Sequence, residues 1–262
     1  MTAAPAAGLR GLEGRVALVT GAGQGIGAAI AARLGDEGCR VAVNSLQPAK
    51  AAGTAERLRG AGADAHAFPA DVADASQVND MVLGIEETLG PVQILVNNAA
   101  YLDMERMLDQ DPAIWNRMID VDLTGPFNCA RRVLSGMLAA AWGRIVTISS
   151  IWGLIGAKGA TAYCAAKGGL VEMTRALDAE VGSAGVSASA VAPGIIDTPQ
   201  LASDAGFAGI SLDEMKARYA TQDLVGRIGT PEEIAGVVAF LASDDGTAFR
   251  GQTVPVTGGR SE

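Results

Sequence analysis

The chain is short of the residues on which several large function classes depend. Only 4% of its 262 residues are aromatic, and His66 is the single histidine. That removes histidine-based triads and multi-histidine metal centres, and no metal is expected. Cysteine is nearly as scarce. Cys39, Cys129 and Cys164 are odd in number, scattered, and without metal-ligand spacing, so they read as small buried residues in a reducing compartment. Basic charge is short too. A formal net charge of −9 speaks against nucleic acid or an anionic membrane surface as partner, since both need a basic patch. No run of about 18 apolar residues free of charge occurs, so no transmembrane span is expected. The stretch from Thr2 to Gly11 has neither the charged start nor the apolar centre of a signal peptide. The expected location is the cytoplasm.

Small apolar residues are plentiful. Hydrophobic residues make up 49% of the chain and glycine contributes 34 positions, a mixture suited to helices packed closely on a sheet. The length fits one large α/β domain that needs no disulfide or metal to hold its core. Apolar, β-branched runs at Arg15–Thr20, Arg40–Ser45, Asp64–Pro69, Gln93–Val96, Arg144–Ser149, Val186–Val191 and Thr253–Val256 read as strands. Helical segments lie between them, among them Gly25–Glu37, Ala75–Leu89, Thr161–Val181 and Pro231–Ala242. Such alternation predicts βαβ units, hence a doubly wound, mostly parallel seven-stranded Rossmann sheet with helices on both faces. Residues 1–11 are expected to form a flexible extension, and residues 12–262 a single dinucleotide-binding and catalytic domain. The stretch from Gly194 to Thr230, with Pro193 before it and Pro199 inside it, reads as irregular and as a lid over a pocket.

Directly after the first strand comes Thr20-Gly21-Ala22-Gly23-Gln24-Gly25-Ile26-Gly27, leading into a helix. Glycines there permit a tight turn and let backbone N–H groups approach a pyrophosphate at the positive end of the helix. The placement between first strand and first helix makes the signal specific for a dinucleotide. The residues just past the second strand separate NAD from NADP, because an acid binds the ribose hydroxyls of NAD and an arginine accommodates the extra phosphate of NADP. Here the segment is Asn44-Ser45-Leu46-Gln47, with neither, and Gln24 is uncharged. The missing carboxylate, with Asn44 and Ser45 as phosphate donors, tips the choice between NADP and NAD slightly toward NADP.

The catalytic candidates are Ser150, Tyr163 and Lys167, with 163 − 150 = 13 and 167 − 163 = 4. Tyr163 and Lys167 are one helical turn apart and share a face. Ser150 ends a strand, so the three converge at the edge where such sheets bind ligands. Reducing a ketone requires a proton for the oxygen as hydride reaches the carbon. A free tyrosine, with a pKa of about 10, is a poor base at neutral pH for the reverse step. A neighbouring ammonium favours the phenolate, so Lys167 is expected to lower the Tyr163 pKa and make it a tunable acid/base. Ser150 can hold the substrate oxygen, and Lys167 can also bond the nicotinamide ribose.

The glycine spacing GxxxGxG together with this trio resembles the short-chain dehydrogenase/reductase family, of the classical type, from about Leu12 to Gly259. The resemblance implies an NAD(P)-dependent oxidoreductase acting on a small carbonyl or alcohol. It assigns adenine contacts to Asp71 and Val72, and a cofactor-facing role to Asn98 in Asn97-Asn98-Ala99-Ala100. It gives contacts at the nicotinamide amide to Pro193, Gly194, Ile196 and Thr198. It also implies a homo-oligomer, usually a tetramer, for which the long apolar helix expected over Pro112–Leu138 is suited. Two departures stand out. Ala100 replaces a usual glycine, and Asp122 stands 150 − 122 = 28 residues before the serine, where the family most often has Asn. That Asn helps anchor a water chain to the lysine, largely through its main-chain carbonyl. Asp122 keeps the carbonyl but brings a carboxylate that would alter the proton relay.

For the substrate, Tyr101, Trp152 and Phe207 are candidates for an apolar, partly aromatic wall, which suits an alicyclic or aryl ketone. Two alternatives stand beside this reading. One is a 3-oxoacyl-(carrier protein) reductase, disfavoured because Met137-Leu138-Ala139-Ala140-Ala141-Trp142 carries no charge for an acidic carrier, although Arg131 and Arg132 lie just upstream. The other is a catalytically silent, cofactor-binding regulator, favoured by Asp122 and Ala100 and opposed by the intact trio.

Overall fold

In a computed structural model, the protein is described over residues 8–207, 209–221 and 224–259, apart from the side chains of Ser203 and Phe207. The first half runs β1 (Val16–Val19), α1 (Gly25–Asp36), β2 (Arg40–Ser45), α2 (Pro48–Gly60), β3 (Ala65–Pro69), α3 (Ala75–Thr88) and β4 (Ile94–Asn97). A long helical passage comes next as α4 (Pro112–Ile119), a π-helical turn (Asp120–Thr124) and α5 (Gly125–Ala139). Then come β5 (Gly143–Ile148), α6 (Trp152–Ile155), α7 (Thr161–Val181) and β6 (Val186–Pro193). The chain closes with α8 (Pro199–Phe207), α9 (Leu212–Ala220), α10 (Pro231–Ala242) and β7 (Thr253–Val256).

All seven expected strands form, within two residues of the bounds read from sequence, in one sheet ordered β3-β2-β1-β4-β5-β6-β7. Every pairing is parallel. The sequence suggested mostly parallel strands; the described sheet is wholly so. Strands β1, β4, β5 and β6 are buried along their whole length, as a sheet covered on both faces requires. On one face Ile30, Ala31 and Leu34 of α1 pack with Ile234, Val238 and Ala239 of α10. On the other, Val78, Val82 and Ile85 of α3 pack with Cys129, Val133 and Met137 of α5. The strand order reverses direction between β1 and β4, and the crevice beyond their carboxyl ends is where such sheets take ligands.

Two local readings change. The passage from Gly194 to Thr230 is not irregular: it carries α8 and α9, whose Leu201, Ala205 and Met215 form a small apolar cluster with Ile228. Its end is set by a capping box, in which Thr230 Oγ1 accepts from the Glu233 amide and Glu233 Oε2 accepts from the Thr230 amide. The helix expected over Pro112–Leu138 is interrupted by the π turn. Pro126 lacks an N–H and so cannot bond the carbonyl four residues back, that of Asp122. The amide of Gly125 instead reaches Asp120 O, five residues back. Among the described residues no helix is long and apolar enough to cross a membrane.

Candidate active site

A cleft of about 450 Å³ opens over the carboxyl ends of the strands. It is lined by Gly21, Gln24, Gly25, Ile26, Gly27, Ser45, Asp71, Val72 and Asn98 at one end. Ser150, Tyr163, Lys167, Pro193, Gly194, Ile196 and Thr198 line the other. Tyr101 and Trp152 face the same space. Residues spread from 21 to 198 in sequence are thus brought to one site. The Phe207 side chain, the third expected wall residue, lies outside the described residues.

The glycine turn is packed too closely to admit side chains. A Cβ on Gly21 would lie 2.7 Å from Ala99 Cα, and one on Gly27 would lie 2.5 Å from Gly21 O. Asn98 fastens this turn to β4, its side-chain amide donating to Thr20 O at 2.9 Å and Gly21 O at 3.2 Å. Gln24 provides no side-chain cap for α1, so the first amides of that helix remain for a ligand. A bare, uncapped helix start beneath a glycine cradle fits the pyrophosphate of a dinucleotide.

At the adenosine end the polar side chains divide into two groups. Asn44 is not a phosphate donor: its amide nitrogen donates to Phe68 O and Ala70 O, and its oxygen accepts from the Gly21 amide at 3.3 Å. Ser45 and Lys50 are available. Lys50, which the sequence reading missed, lines the cleft from the first turn of α2 and donates to Gln24 Oε1 at 2.7 Å. Asp71 is held by Arg117 at 2.9 Å, a second lining residue not foreseen.

The catalytic end is built from β5, α6 and α7. Ser149 donates its hydroxyl to Lys167 O at 2.8 Å, which docks the start of α7 against the end of β5. Gly153 allows this, because a Cβ there would lie 2.7 Å from Lys167 C. Ser150 Oγ accepts from the Trp152 amide at 3.1 Å, and Ser150 helps to lower the pKa of the Tyr163 phenol. The Trp152 and Tyr163 rings meet edge to face with centroids 6.1 Å apart. Lys167 is buried; its Nζ donates to Ile148 O at 3.1 Å and stands 5.4 Å from the centre of the Tyr163 ring.

Asp122 lies behind this group, sealed from solvent at 0% exposure. Its Oδ1 accepts the Tyr101 amide at 2.7 Å, and its Oδ2 faces Lys167 Nζ at 3.5 Å without a shorter hydrogen bond. Burial raises the Asp122 pKa, against the pull of Lys167. The Tyr163 pKa moves opposite to expectation. Burial pushes it up, the Lys167 ammonium opposes that, and the Asp122 carboxylate adds to the rise. The lowering expected from Lys167 is present but is outweighed.

Comparison with known proteins agrees with this geometry. A family model described as enoyl-(acyl carrier protein) reductase matches residues 21–261. The chain is 38% identical to 2-(S)-hydroxypropyl-CoM dehydrogenase 3 of Xanthobacter autotrophicus, covering 95% of this chain and 97% of that protein. It is also 38% identical to a 3-oxoacyl-[acyl-carrier-protein] reductase of Staphylococcus aureus, over 93% of this chain and 96% of the relative. Among solved structures, an actinorhodin polyketide ketoreductase variant with NADPH superposes with a TM-score of 0.91 at 35% identity, covering 95% and 98% of the two chains. The sheet, the cleft and these relatives together place the chain in the short-chain dehydrogenase/reductase family, as an NAD(P)-dependent oxidoreductase acting on hydroxyl and carbonyl groups.

Proposed function

We propose that the protein is an NADP-preferring reductase of small, apolar ketones, with Tyr163 as the proton donor. The observation that carries this is the convergence of Ser150, Tyr163 and Lys167 in one cleft with the glycine turn. The nicotinamide, when bound, supplies the hydride that reaches the carbonyl carbon. Ser150 holds the carbonyl oxygen, Tyr163 gives that oxygen its phenolic proton, and Lys167 orients the cofactor ribose. The same roles run backwards for a secondary alcohol. Pro193, Gly194, Ile196 and Thr198, which line one end of the cleft, would hold the nicotinamide end of the cofactor, and Asp71 and Val72, at the other end, its adenine.

NADP is favoured by Lys50 and Ser45, which offer a cation and a hydroxyl to a ribose phosphate where no carboxylate repels it. An apolar ketone is favoured by Tyr101 and Trp152 on the wall. Reduction of carrier-bound 3-oxoacyl chains remains a second reading, supported by the activity of the Staphylococcus aureus relative. Against it, of the two arginines upstream of the uncharged segment Met137–Trp142, Arg132 is already held by Glu86 at 2.9 Å and 3.2 Å. The intact trio speaks against a silent regulator. A homo-oligomer is favoured by Phe127 and Leu138, large apolar side chains left exposed along α5.

The test is consumption of NADPH and NADH in parallel over cyclic, aryl and 3-oxoester ketones, free and carrier-bound. Faster turnover of a free cyclic or aryl ketone with NADPH is expected. Turnover confined to carrier-bound substrates would overturn the substrate reading, and equal use of NADH the cofactor reading.

A further inference from the structure

The Asp122–Lys167 pair answers a question that the trio alone leaves open: which protonation state of Tyr163 the resting site holds. Asp122 Oδ1 is fixed by the Tyr101 amide at 2.7 Å, so Oδ2 is the atom turned to Lys167 Nζ, 3.5 Å away. An asparagine held by the same amide would turn an N–H donor toward the ammonium, donor against donor. The carboxylate presents an acceptor. Both side chains are buried, at 0% and 2% exposure for Asp122 and Lys167, so their charges act at short range with little solvent screening. A carboxylate at Asp122, 3.5 Å from the Lys167 ammonium, leaves the two together without net charge. Lys167 beside a neutral residue would carry a full positive charge next to the Tyr163 ring.

No other charge replaces what Asp122 removes. Arg117 of α4 is the other cation acting on Asp122, and its guanidinium is held by Asp71 at 2.9 Å. Cys164, next to Tyr163 in α7, acts on it in the same upward direction as Asp122, and its own thiol pKa is raised by partial burial. From the end of β5, Ser150 contributes only a hydroxyl.

We propose that Asp122 is a positioning residue that cancels the charge of Lys167, keeps Tyr163 a protonated phenol at neutral pH, and so sets the site to give a proton to a carbonyl rather than take one from an alcohol. This rests on the reading of Tyr163 as the acid/base. Its consequence is a reductase over the neutral range whose alcohol oxidation rises only at alkaline pH.

The experiment is the phenolate absorbance titration of Tyr163, taken as the difference between wild type and Tyr163→Phe, repeated in the Asp122→Asn background. Alongside it, the pH profile of kcat/KM for oxidation of a secondary alcohol is measured for wild type and Asp122→Asn. Wild-type Tyr163 is expected to ionise above a free tyrosine. Asp122→Asn is expected to move both the titration and the oxidative profile down by about one pH unit or more. A wild-type Tyr163 that ionises near neutrality, or an Asp122→Asn protein with an unmoved titration, would overturn the proposal. If Asp122→Asn does not fold, Asp122→Ala is titrated in its place, and an unmoved titration there overturns the proposal. Should the titration shift while Tyr163→Phe stays fully active, the acid/base reading falls and the charge relation between Asp122 and Tyr163 stands.

Discussion

Lys50 reaches from the first turn of α2 to donate to Gln24 Oε1 at 2.7 Å, so a cation is held against the glycine turn. Its partner is a neutral amide, which leaves the positive charge uncompensated. A ribose phosphate brought to Ser45 would meet that charge, whereas a ribose hydroxyl gains little from it. Lys50→Ala is therefore expected to raise the KM for NADPH by about tenfold, the effect of roughly 1.4 kcal/mol of lost binding. The KM for NADH should stay within about twofold, since a neutral ribose makes no charge-assisted bond to lose. Steady-state kinetics with both cofactors checks this; a parallel rise in both would assign Lys50 to the fold of the turn instead.

In the proposed reaction the Tyr163 hydroxyl is the group that gives its proton to the substrate. Tyr163→Phe keeps the ring that meets Trp152 edge to face and removes the proton alone. Turnover is expected to fall by about a hundredfold or more, in the range general acid catalysis contributes. Cofactor affinity, read by fluorescence titration, should not change. A loss smaller than about tenfold would mean that water or another group delivers the proton.

The parts legible in the sequence were those fixed by short-range chemistry. The central apolar runs became strands because a parallel sheet buried on both faces admits little else, and the glycine turn was readable because the Cβ positions of Gly21 and Gly27 are filled by backbone. Helix α2 was harder to see. Pro48 at its first turn is a start signal, but its residues are too polar for an apolar stripe to announce it. Lys50 went unnoticed for that reason. The π turn at Asp120–Thr124 had one trace, Pro126, which is ordinarily read as a helix start. Least legible was the direction of the Tyr163 shift. Spacing places Lys167 beside it, but how far burial and Asp122 outweigh the lysine depends on three-dimensional packing.

The cysteines divide by environment. Cys39 and Cys129 are buried, and burial pushes each thiol up to about 12, with Glu37 and Glu13 adding to the rise at Cys39. At neutral pH almost none of either is thiolate, the form that reacts. Cys164 is only partly buried, and its pKa is raised as well. A thiol reagent applied to the native protein should modify Cys164 slowly, and Cys39 and Cys129 only after denaturation, as peptide mass spectrometry would record. Rapid native labelling of Cys129 would mean that the α3–α5 face opens readily.

The capping box at the start of α10 ties the end of the α8–α9 passage to the core. Thr230 Oγ1 accepts the Glu233 amide, while Glu233 accepts the Thr230 amide at 2.8 Å and Arg227 at 2.6 Å and 3.0 Å. Thr230→Ala removes one side of the box and should cost about 1 kcal/mol, a fall in Tm of roughly 2–4 °C for a chain of this size. The Arg227 guanidinium and the Thr230 amide lower the Glu233 carboxyl from 4.5 to about 2. A depressed carboxylate contributes stability above its unfolded pKa, and that contribution fades as pH falls from about 4.5 toward 2. Because the pair is solvent-exposed, salt screens it and the contribution is small. Glu233→Gln should therefore lower Tm modestly at pH 7 and low salt, by less than Thr230→Ala, with the difference from wild type shrinking as pH approaches 2 or as salt is added. A Glu233→Gln deficit that persists unchanged at low pH would show that side-chain packing, rather than the charged cap, holds the start of α10.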